Sequence, residues 1–422
     1  MPADIADPTL AESGRSRMAW AVRAMPILRG IAARFAEERP FDGVRVAACL
    51  HVTPETGVFL RALQAGGAQV RLCASNPLAT QDDTAAALVC DSGISVFARR
   101  GIDAVGYAGH IAAALAMAPQ LIFDDGCDLV TALHTTRPDL LAGIRGGCEE
   151  TGTGVLWLRH MARDGRLRFP MVAVNENETM RVVDNRYGTG QSTIDGLLRA
   201  TNLLLAGRTV VVAGYGPCGR GVASRAKGMG ASVVVTEVDP TRALEAALEG
   251  YRVLPMAAAA AVGDVFLTAT GSRAVLRAEH FAQMKDGAIF GNVGHFDVEI
   301  DVPALSRLSS SGPAPVRPHL QEYRLDDGRR LLLLTQGRLV NLAAAEGHPA
   351  AVMDLSFAGQ ALAAEWLLRV ADSLTPDVYG IPADLDAEIA GLVLDAMGIH
   401  IDRAVDGALD STLPDQRPRE AG

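Results

Sequence analysis

Hydrophobic positions in the first half of the chain follow two alternating spacings. Residues 15–40 place apolar side chains at helical intervals, whereas short apolar runs, such as those in VRVAACLHVT and APQLIFDDG, are typical of buried strands. Helical stretches separate these runs. Strands that alternate with helices predict a parallel sheet covered by helices on both faces.

The same alternation restarts at Thr209. The predicted strands here are TVVVAGYG, SVVVTEVD, VFLTATG, GAIFGNVG and LLLLTQG, and a helix follows the first of them. After about residue 345 the pattern becomes largely helical and includes an amphipathic helix that opens at Pro382. The tail STLPDQRPREAG is expected to be disordered. The pattern as a whole predicts the α/β class.

Composition and charge narrow the class of protein. The 422 residues carry a formal net charge of −10, which disfavours binding to the phosphate backbone of nucleic acids. The N-terminus lacks the basic and apolar regions of a signal peptide, and the longest apolar run is too short to span a membrane. The six cysteines form no C-x-x-C pair. We expect a cytoplasmic protein with reduced thiols, no metal, and neither a nucleic acid nor a membrane as partner.

A glycine-rich turn predicts a dinucleotide site. Gly214, Gly216 and Gly219 form G-x-G-x-x-G between a strand and a helix, so the backbone can approach a pyrophosphate at the helix N-terminus. Glu237 ends the next strand, where its carboxylate can accept both adenosine-ribose hydroxyls and would repel a 2′-phosphate. These features predict NAD as the cofactor. Arg242 is the one residue that could instead favour a cofactor with a 2′-phosphate, although a helix-surface arginine explains it better.

An ordered set of motifs covers roughly residues 15–385. They are CLHVTPET, SNPLATQDD, FDDGCDLV, GIRGGCEETGTGV, VDNRYGTGQSTIDG, VVAGYGPCGRG, TEVDP, GNVGHFDVEID and QGRLVNLAAAEGHPAAVM. The set resembles the S-adenosylhomocysteine hydrolase family, and GHFDVEID and GRLVNL are its most specific members.

The resemblance implies a substrate domain built from both chain ends, with a Rossmann-type NAD-binding domain inserted between them. Residues 1–188 would form the first part of the substrate domain and 189–344 the NAD-binding domain. Residues 345–385 would be the returning helices, and 386–422 a C-terminal helix and the tail. The resemblance also implies a homodimer or homotetramer.

The family's chemistry uses tightly bound NAD that is regenerated in each turnover. The ribose 3′-OH of an adenine nucleoside is oxidised to a ketone, which acidifies the hydrogen at C4′. A base removes that hydrogen, the 5′ substituent leaves, water adds and the hydride returns. An inserted cofactor domain also explains why the glycine-rich turn comes so late in the chain.

The resemblance assigns roles to residues at matching positions. The catalytic group is His51, Asp125, Asp184 and His295. The substrate-binding group is Thr53, Glu55, Glu150, Met180, His348 and Met353, with His348 at the adenine edge or its loop. The cofactor-binding group adds Thr151, Thr153, Asn185, Thr270 and Asn341 to the glycine-rich turn, Glu237 and Arg242. Without the resemblance, His51 would be a loop histidine, Thr53 a helix N-cap and Asp125 a turn aspartate.

One departure from the family pattern affects the chemistry directly. Met180 stands where the family has a lysine that orients and deprotonates the 3′-OH, and a thioether can do neither. The chain has only two lysines, Lys227 and Lys285, and neither is placed to substitute. If the segment is an α-helix, Met180 and Asp184 share one face, and Asp184 loses its cationic neighbour.

Other positions also depart from the family. Gly152 interrupts a run of three threonines, Thr189 replaces a cysteine near the nicotinamide, and Glu346 replaces an apolar residue near the adenine. The lysine-and-tyrosine tail that reaches a neighbouring subunit's NAD site in the family has no visible counterpart.

Three functional hypotheses follow. The first is a divergent nucleoside dehydratase that loses water and gives an alkene, which Met180 and the altered tail favour. The second is hydrolysis of S-adenosylhomocysteine to adenosine and homocysteine with a rearranged base. The third is an inactive regulatory or binding homologue. The retained catalytic and sugar-binding residues disfavour it, namely His51, Asp125, Glu150, Asp184 and His295.

Overall fold

The computed structural model describes residues 2–402, and its first sheet is formed by both ends of the chain. The eight strands run parallel in the order β1-β4-β3-β2-β5-β6-β7-β16. Their bounds are β1 Asp4–Ile5, β2 Arg45–Leu50, β3 Gln69–Ala74, β4 Ser95–Ala98, β5 Leu121–Asp124, β6 Gly146–Glu149, β7 Met171–Ala173 and β16 Val378–Gly380. The sequence pattern predicts helices after residue 345 and misses β16, which is short and only half-buried.

The second sheet is formed by the middle of the chain. Its order is β10-β9-β8-β11-β12-β15-β14-β13, and only β14 runs antiparallel to its two neighbours. The bounds are β8 Thr209–Ala213, β9 Ser232–Thr236, β10 Arg252–Val253, β11 Val265–Thr268, β12 Ala288–Asn292, β13 Ser309–Arg317, β14 Leu320–Leu325 and β15 Arg330–Leu334. The six parallel strands have the order of a dinucleotide-binding fold. An α/β protein with an inserted Rossmann-type region is therefore confirmed, while the domain boundaries stay predictions.

Helices cover both sheets. Those before the second sheet are α1 Ala11–Arg23, α2 Pro26–Glu38, α3 Pro54–Ala65, α4 Asp82–Ser92, α5 Ala104–Leu115, α6 Asp128–Thr135, α7 Gly152–Arg163, α8 Glu178–Met180 and α9 Thr189–Thr201. The rest are α10 Pro217–Gly228, α11 Pro240–Leu248, α12 Met256–Val262, α13 Ala278–Phe281, α14 Val302–Leu308, α15 Val340–Ala343, α16 Ala350–Val370 and α17 Ala383–Ala396. The predicted disordered tail lies outside the described residues.

A π-helix over Arg181–Gly188 joins α8 to α9. Asp184 therefore lies in a π-helix and not in the α-helix considered from the sequence. A π-helix has hydrogen bonds from residue i to i+5 and a wider turn. Such segments are frequent at functional sites.

The returning helix α16 is buried along most of its length and packs against α2, α3 and β6. Its Asp354 accepts hydrogen bonds from the backbone N–H groups of Ile27 (3.0 Å) and Leu28 (2.8 Å). These donors belong to the first turn of α2, which has no partner for them within the helix. Asp354 therefore caps a helix more than 300 residues earlier in the chain.

All six cysteines are free, as the sequence predicts. Within residues 2–402, none of the helices combines the length and the apolar character needed to cross a membrane.

The cap predicts a specific stability effect. Asp354→Ala leaves two buried N–H groups unpaired and should lower the free energy of unfolding by about 1–3 kcal/mol. Asp354→Asn keeps one acceptor oxygen, so its loss should be smaller. Thermal unfolding of the parent and both variants measures this. Equal melting of the parent and Asp354→Ala would contradict the capping role.

Candidate active site

A cavity of about 680 Å³ is lined by residues that follow strands of both sheets. Ligands of open α/β sheets bind at the carboxyl ends of strands, which is where these residues lie. The predicted residues that line it are His51, Thr53, Glu55, Asp125, Glu150, Thr151, Thr153, Asp184, Asn185, Arg242, Thr270, His295, Asn341, His348 and Met353. The structure thus brings together side chains that the sequence scatters over 300 residues.

Two histidines flank Asp125. The Nε2 atom of His51 lies 3.1 Å from one Asp125 oxygen, and Nδ1 of His295 lies 3.7 Å from the other. Burial lowers the pKa of His51, although the Asp125 charge opposes this shift. A neutral His51 can accept a proton near pH 7 and share it with Asp125.

Ser75 belongs to this cluster, although the sequence pattern does not single it out. Its hydroxyl lies 2.9 Å from Nδ1 of His51 and donates to Asp125 over 2.9 Å. It therefore fixes both the ring and the carboxylate. The feature of the sequence that could have identified Ser75 is its position directly after β3, at the same sheet edge as His51.

The cluster also has the spacing of a metal site. One ligand atom each from His51, Asp125 and His295 lies within 4.8 Å of the others, which is compatible with a bound cation. The sequence predicts no metal, and two of the three groups, His51 and Asp125, already lie 3.1 Å apart.

Glu149 supports the loops that carry the predicted residues. It is fully buried and accepts from the N–H groups of Gly126 (2.8 Å), Cys127 (3.1 Å) and Thr151 (2.9 Å), and from the Thr151 hydroxyl (2.6 Å). Burial raises its pKa to about 7 against these hydrogen bonds. One carboxyl group thus joins the turns after β5 and β6. The predicted residues Asp125 and Glu150 are the second members of the pairs DD and EE, and Glu149, the neighbour that positions them, was not predicted.

Glu150 faces the cavity and receives hydrogen bonds from helix α16. The Ser356 hydroxyl donates to it over 2.8 Å, and the Gln360 side-chain amide donates to its other oxygen. Burial, followed by the charges of Asp184 and Asp125, raises the pKa of Glu150 well above its usual range. A protonated Glu150 can donate to a ligand oxygen, which agrees with its predicted role at a sugar hydroxyl.

His348 lies against Asp184. Its Nδ1 atom is 3.2 Å from an Asp184 oxygen, and its Nε2 atom is 3.3 Å from the Thr189 hydroxyl. The resemblance predicts His348 at the adenine edge or its loop, which stays a prediction, and the structure pairs its ring with the predicted catalytic carboxylate. Thr189, noted only as a departure from the family, is part of this group.

Met180 is not at the cavity surface. It is 1% exposed and packs in the core of the first sheet, whereas its neighbour Arg181 lines the cavity. The expected contact of Met180 with substrate stays a prediction, and in this structure its apolar side chain is buried with other apolar groups. Neither lysine compensates, since Lys285 pairs with Asp264 and Lys227 lies near the Glu249 carbonyl.

Glu346 and Glu55 line one part of the cavity together. Glu346 pairs with Arg17 (3.0 Å) of α1 and Arg199 (3.2 Å) of α9. Burial raises the pKa of Glu55, Arg17 lowers it, and Glu346 raises it further. Thr53 caps α3 by accepting from the Thr56 N–H, so its side chain has the helix-cap role as well as a place in the cavity.

The glycine-rich turn has the geometry of a pyrophosphate site. Gly214 has a φ of +96°, and a Cβ at Gly219 would collide with the Gly214 carbonyl. Helix α10 then begins at Pro217, with its N-terminus beside the cavity. Glu237 accepts from the Tyr215 N–H over 2.7 Å, which fixes the turn against β9.

The polar groups near this turn also fit a dinucleotide. The buried Oδ1 atom of Asn341 has no hydrogen-bond partner, while its Nδ2 donates to Ser192. An orphaned buried acceptor suits a ligand donor such as a carboxamide. Thr270 donates its hydroxyl to the buried Glu299, which also accepts the Gly271 N–H. Asn185 donates to Asn175.

These features define an NAD-binding α/β protein whose cavity combines acid, base and cofactor groups. The family model for the S-adenosyl-L-homocysteine hydrolase NAD binding domain matches residues 185–347, and the S-adenosyl-L-homocysteine hydrolase model matches residues 3–139. The chain belongs to the S-adenosyl-L-homocysteine hydrolase family, and its cofactor is NAD.

Similar proteins extend over nearly the whole chain. An adenosylhomocysteinase of Gloeobacter violaceus is 55% identical over 96% of this chain and 93% of its own length. The adenosylhomocysteinase of Aquifex aeolicus is 55% identical over 95% of this chain and 96% of its own length. The adenosylhomocysteinase of Pyrococcus abyssi is 52% identical over 94% of this chain and 94% of its own length. A solved structure of dipicolinate synthase from Bacillus halodurans has a TM-score of 0.47 and 15% identity over 79% of this chain and 99% of its own.

The close packing of the glycine-rich turn predicts that a side chain at Gly219 reduces NAD binding. Gly219→Ala should displace the Gly214 carbonyl and reduce bound NAD at least about tenfold, since the close approach of the backbone is lost. Gly228→Ala is the matched control, because a Cβ there meets nothing within 4 Å. NAD released on denaturing each purified protein is the measurement. Equal NAD in both variants would contradict the pyrophosphate assignment.

Glu149 gives a second prediction. Glu149→Gln places an amide NH₂ against N–H donors and should lower stability by about 1–3 kcal/mol, seen as a lower melting temperature. The exposed Glu12→Gln, in the first turn of α1, should leave melting unchanged. If the two variants melt alike, Glu149 does not join the two loops as described.

Proposed function

We propose that this chain hydrolyses an adenine-nucleoside thioether of the S-adenosylhomocysteine class by transient oxidation at C3′ and elimination at C5′. One observation carries the proposal: a single cavity beside the glycine-rich turn holds two groups of ionisable side chains. The first group is His51, Asp125 and His295, and the second is the pair Asp184 and His348. Oxidation and elimination at adjacent carbons need two proton-handling groups, and the cavity provides two.

The chain's own groups divide the work. NAD, when bound, would supply the hydride acceptor for C3′ and the source of the hydride that is returned. Asp184 takes the proton of the 3′-OH, and protonated Glu150 holds a sugar hydroxyl by donating to it. Neutral His51, positioned by Ser75 and Asp125, removes the proton at C4′.

The named relatives, all adenosylhomocysteinases, support thioether hydrolysis as the reaction. A second candidate is the nucleoside dehydratase, which loses water instead of a thiol. The loss of the family's lysine at Met180 and the changes at Thr189 and Glu346 favour it, because the resemblance places the family's residues at these positions beside the sugar and the base. Both reactions use the same proton transfers and differ in the leaving group. The homodimer or homotetramer and the cytoplasmic location stay predictions.

The leaving group can be measured directly. The NAD-loaded protein is incubated with S-adenosylhomocysteine, and separately with adenosine, in deuterated water, and the products are analysed by mass spectrometry. We expect release of homocysteine and adenosine, with exchange of the C4′ hydrogen. His51→Ala should slow that exchange by about 10² or more while NAD content is unchanged.

The alternative outcomes are distinct. Water loss from adenosine without release of thiol from the thioether would replace hydrolysis by the dehydratase function. No thiol loss, no water loss and no C4′ exchange would reject both and favour a binding homologue.

A further inference from the structure

Asp184 lacks the partner that the family pattern provides. The family places a lysine beside this carboxylate, and here that position is Met180, which is buried in the core. Within residues 2–402 neither lysine lines the cavity. A carboxylate that takes the 3′-OH proton without a partner would have to hold it alone.

His348 occupies the partner position in the structure. Its Nδ1 atom contacts Asp184 at 3.2 Å and its Nε2 atom contacts the Thr189 hydroxyl at 3.3 Å, so both ring nitrogens are engaged. The ring packs closely over Gly188, where a Cβ would come within 3.2 Å of Nδ1. The imidazole is therefore held in one orientation between two side chains that both line the cavity.

Electrostatics agree with this geometry. Burial alone would lower the pKa of His348, but the Asp184 carboxylate raises it above the usual value. The other titratable groups nearby are Glu150, whose pKa is raised, and Cys218, whose thiol lies 3.9 Å from the Thr189 oxygen and has a pKa raised to about 11 by burial. The charge of His348 in turn lowers the pKa of His51.

We propose that His348, held between Asp184 and Thr189, is the positioning residue that replaces the family's lysine and takes up the 3′-OH proton through Asp184. The proposal rests on the proposed function. It also explains two departures together. The thioether at 180 requires a new partner for Asp184, and a threonine hydroxyl at 189 accepts from an imidazole N–H better than the thiol of the family's cysteine would.

The proton and electron transfers balance. The O3′–H bond breaks, its electron pair forms the second C3′–O bond, and the C3′ hydrogen leaves with its own pair to NAD. The proton passes to the Asp184 carboxylate and then to Nδ1 of His348 in its Nε2–H tautomer. The resulting imidazolium donates Nε2–H to Thr189, and the return of the hydride reverses each transfer.

The pairing can be tested without turnover. The titration of the His348 ring is followed by NMR in the NAD-loaded protein without nucleoside, and its signal is assigned by its loss in His348→Asn. In Asp184→Asn the pKa of His348 should fall by about 1–3, because the carboxylate that stabilises the imidazolium is gone. In Thr189→Val it should also fall, and Thr189→Ser should match the parent. An unchanged pKa in Asp184→Asn would overturn the proposal.

We call the transfer of the 3′-OH proton through Asp184 to His348 the relay. It is tested by the reduction of bound NAD, which is followed by absorbance after mixing with adenosine. His348→Asn should slow reduction by about 10²–10⁴ and remove its dependence on a group titrating near neutral pH, with NAD content unchanged. Imidazole should partly restore the rate of His348→Gly. Thr189→Val gives a second test if His348 variants do not fold, with slower reduction than in Thr189→Ser.

The possible outcomes distinguish a failure of the His348 relay from a failure of the proposed function. Equal reduction in the parent, His348→Asn and Thr189→Val would overturn the relay and leave the proposed function standing. A parent that reduces no NAD with any adenine nucleoside, although His348 titrates as expected with Asp184, would reject the proposed function and the relay, and leave only the ion pair.

Discussion

A carboxylate withdrawn from water must find hydrogen-bond donors inside the protein, and this requirement organises the whole site. Glu149 joins the turns after β5 and β6, and Glu150 is held by two side chains of α16. Asp354 attaches the same helix to α2, and Glu299 fixes the loop after β11. Because the donors come from distant segments, the cavity forms only when the returning chain has packed.

Burial and nearby charges also shift the pKa values of the ionisable groups in the cavity in different directions. Burial raises the pKa of Glu150 and lowers that of His51, whereas the contact with Asp184 raises that of His348. Burial thus favours the protonated form of one carboxyl group and the neutral form of one imidazole, while the Asp184 carboxylate raises the proton affinity of a second imidazole. Groups with such different proton affinities can act at different oxygens and carbons of one sugar.

In the relay proposed above, replacing the family's lysine by Met180 changes how one step is carried out more than which step occurs. An ammonium group on a flexible chain is replaced by a ring with two fixed nitrogens, so the direction of proton transfer is set by Asp184 and Thr189. The burial of Met180 fits this arrangement, because an apolar side chain at 180 adds to the core of the first sheet. Glu346, with its two arginine partners, changes the charge beside Glu55 in a different part of the cavity.

Local sequence motifs predict the fold class and the cofactor of this protein. The glycine spacing, the acid that follows the second strand and the alternation of strand and helix predict the α/β class and NAD, because each depends on neighbours in the chain. The resemblance places His51, Asp125, Glu150, Asp184 and His295, all of which the fold brings into one cavity. Strand β16 is too short and too exposed for its pattern to predict.

Contacts between distant segments could be known only from the folded chain. The roles of Ser75, Glu149 and Thr189, and the pairing of His348 with Asp184, depend on which strand ends and helices become neighbours in space. The sequence pattern likewise does not predict the π-helix over Arg181–Gly188. A side chain's partner, and with it the proton affinity of the site, is set by tertiary packing, since burial and the approach of another charge have no counterpart in a linear pattern.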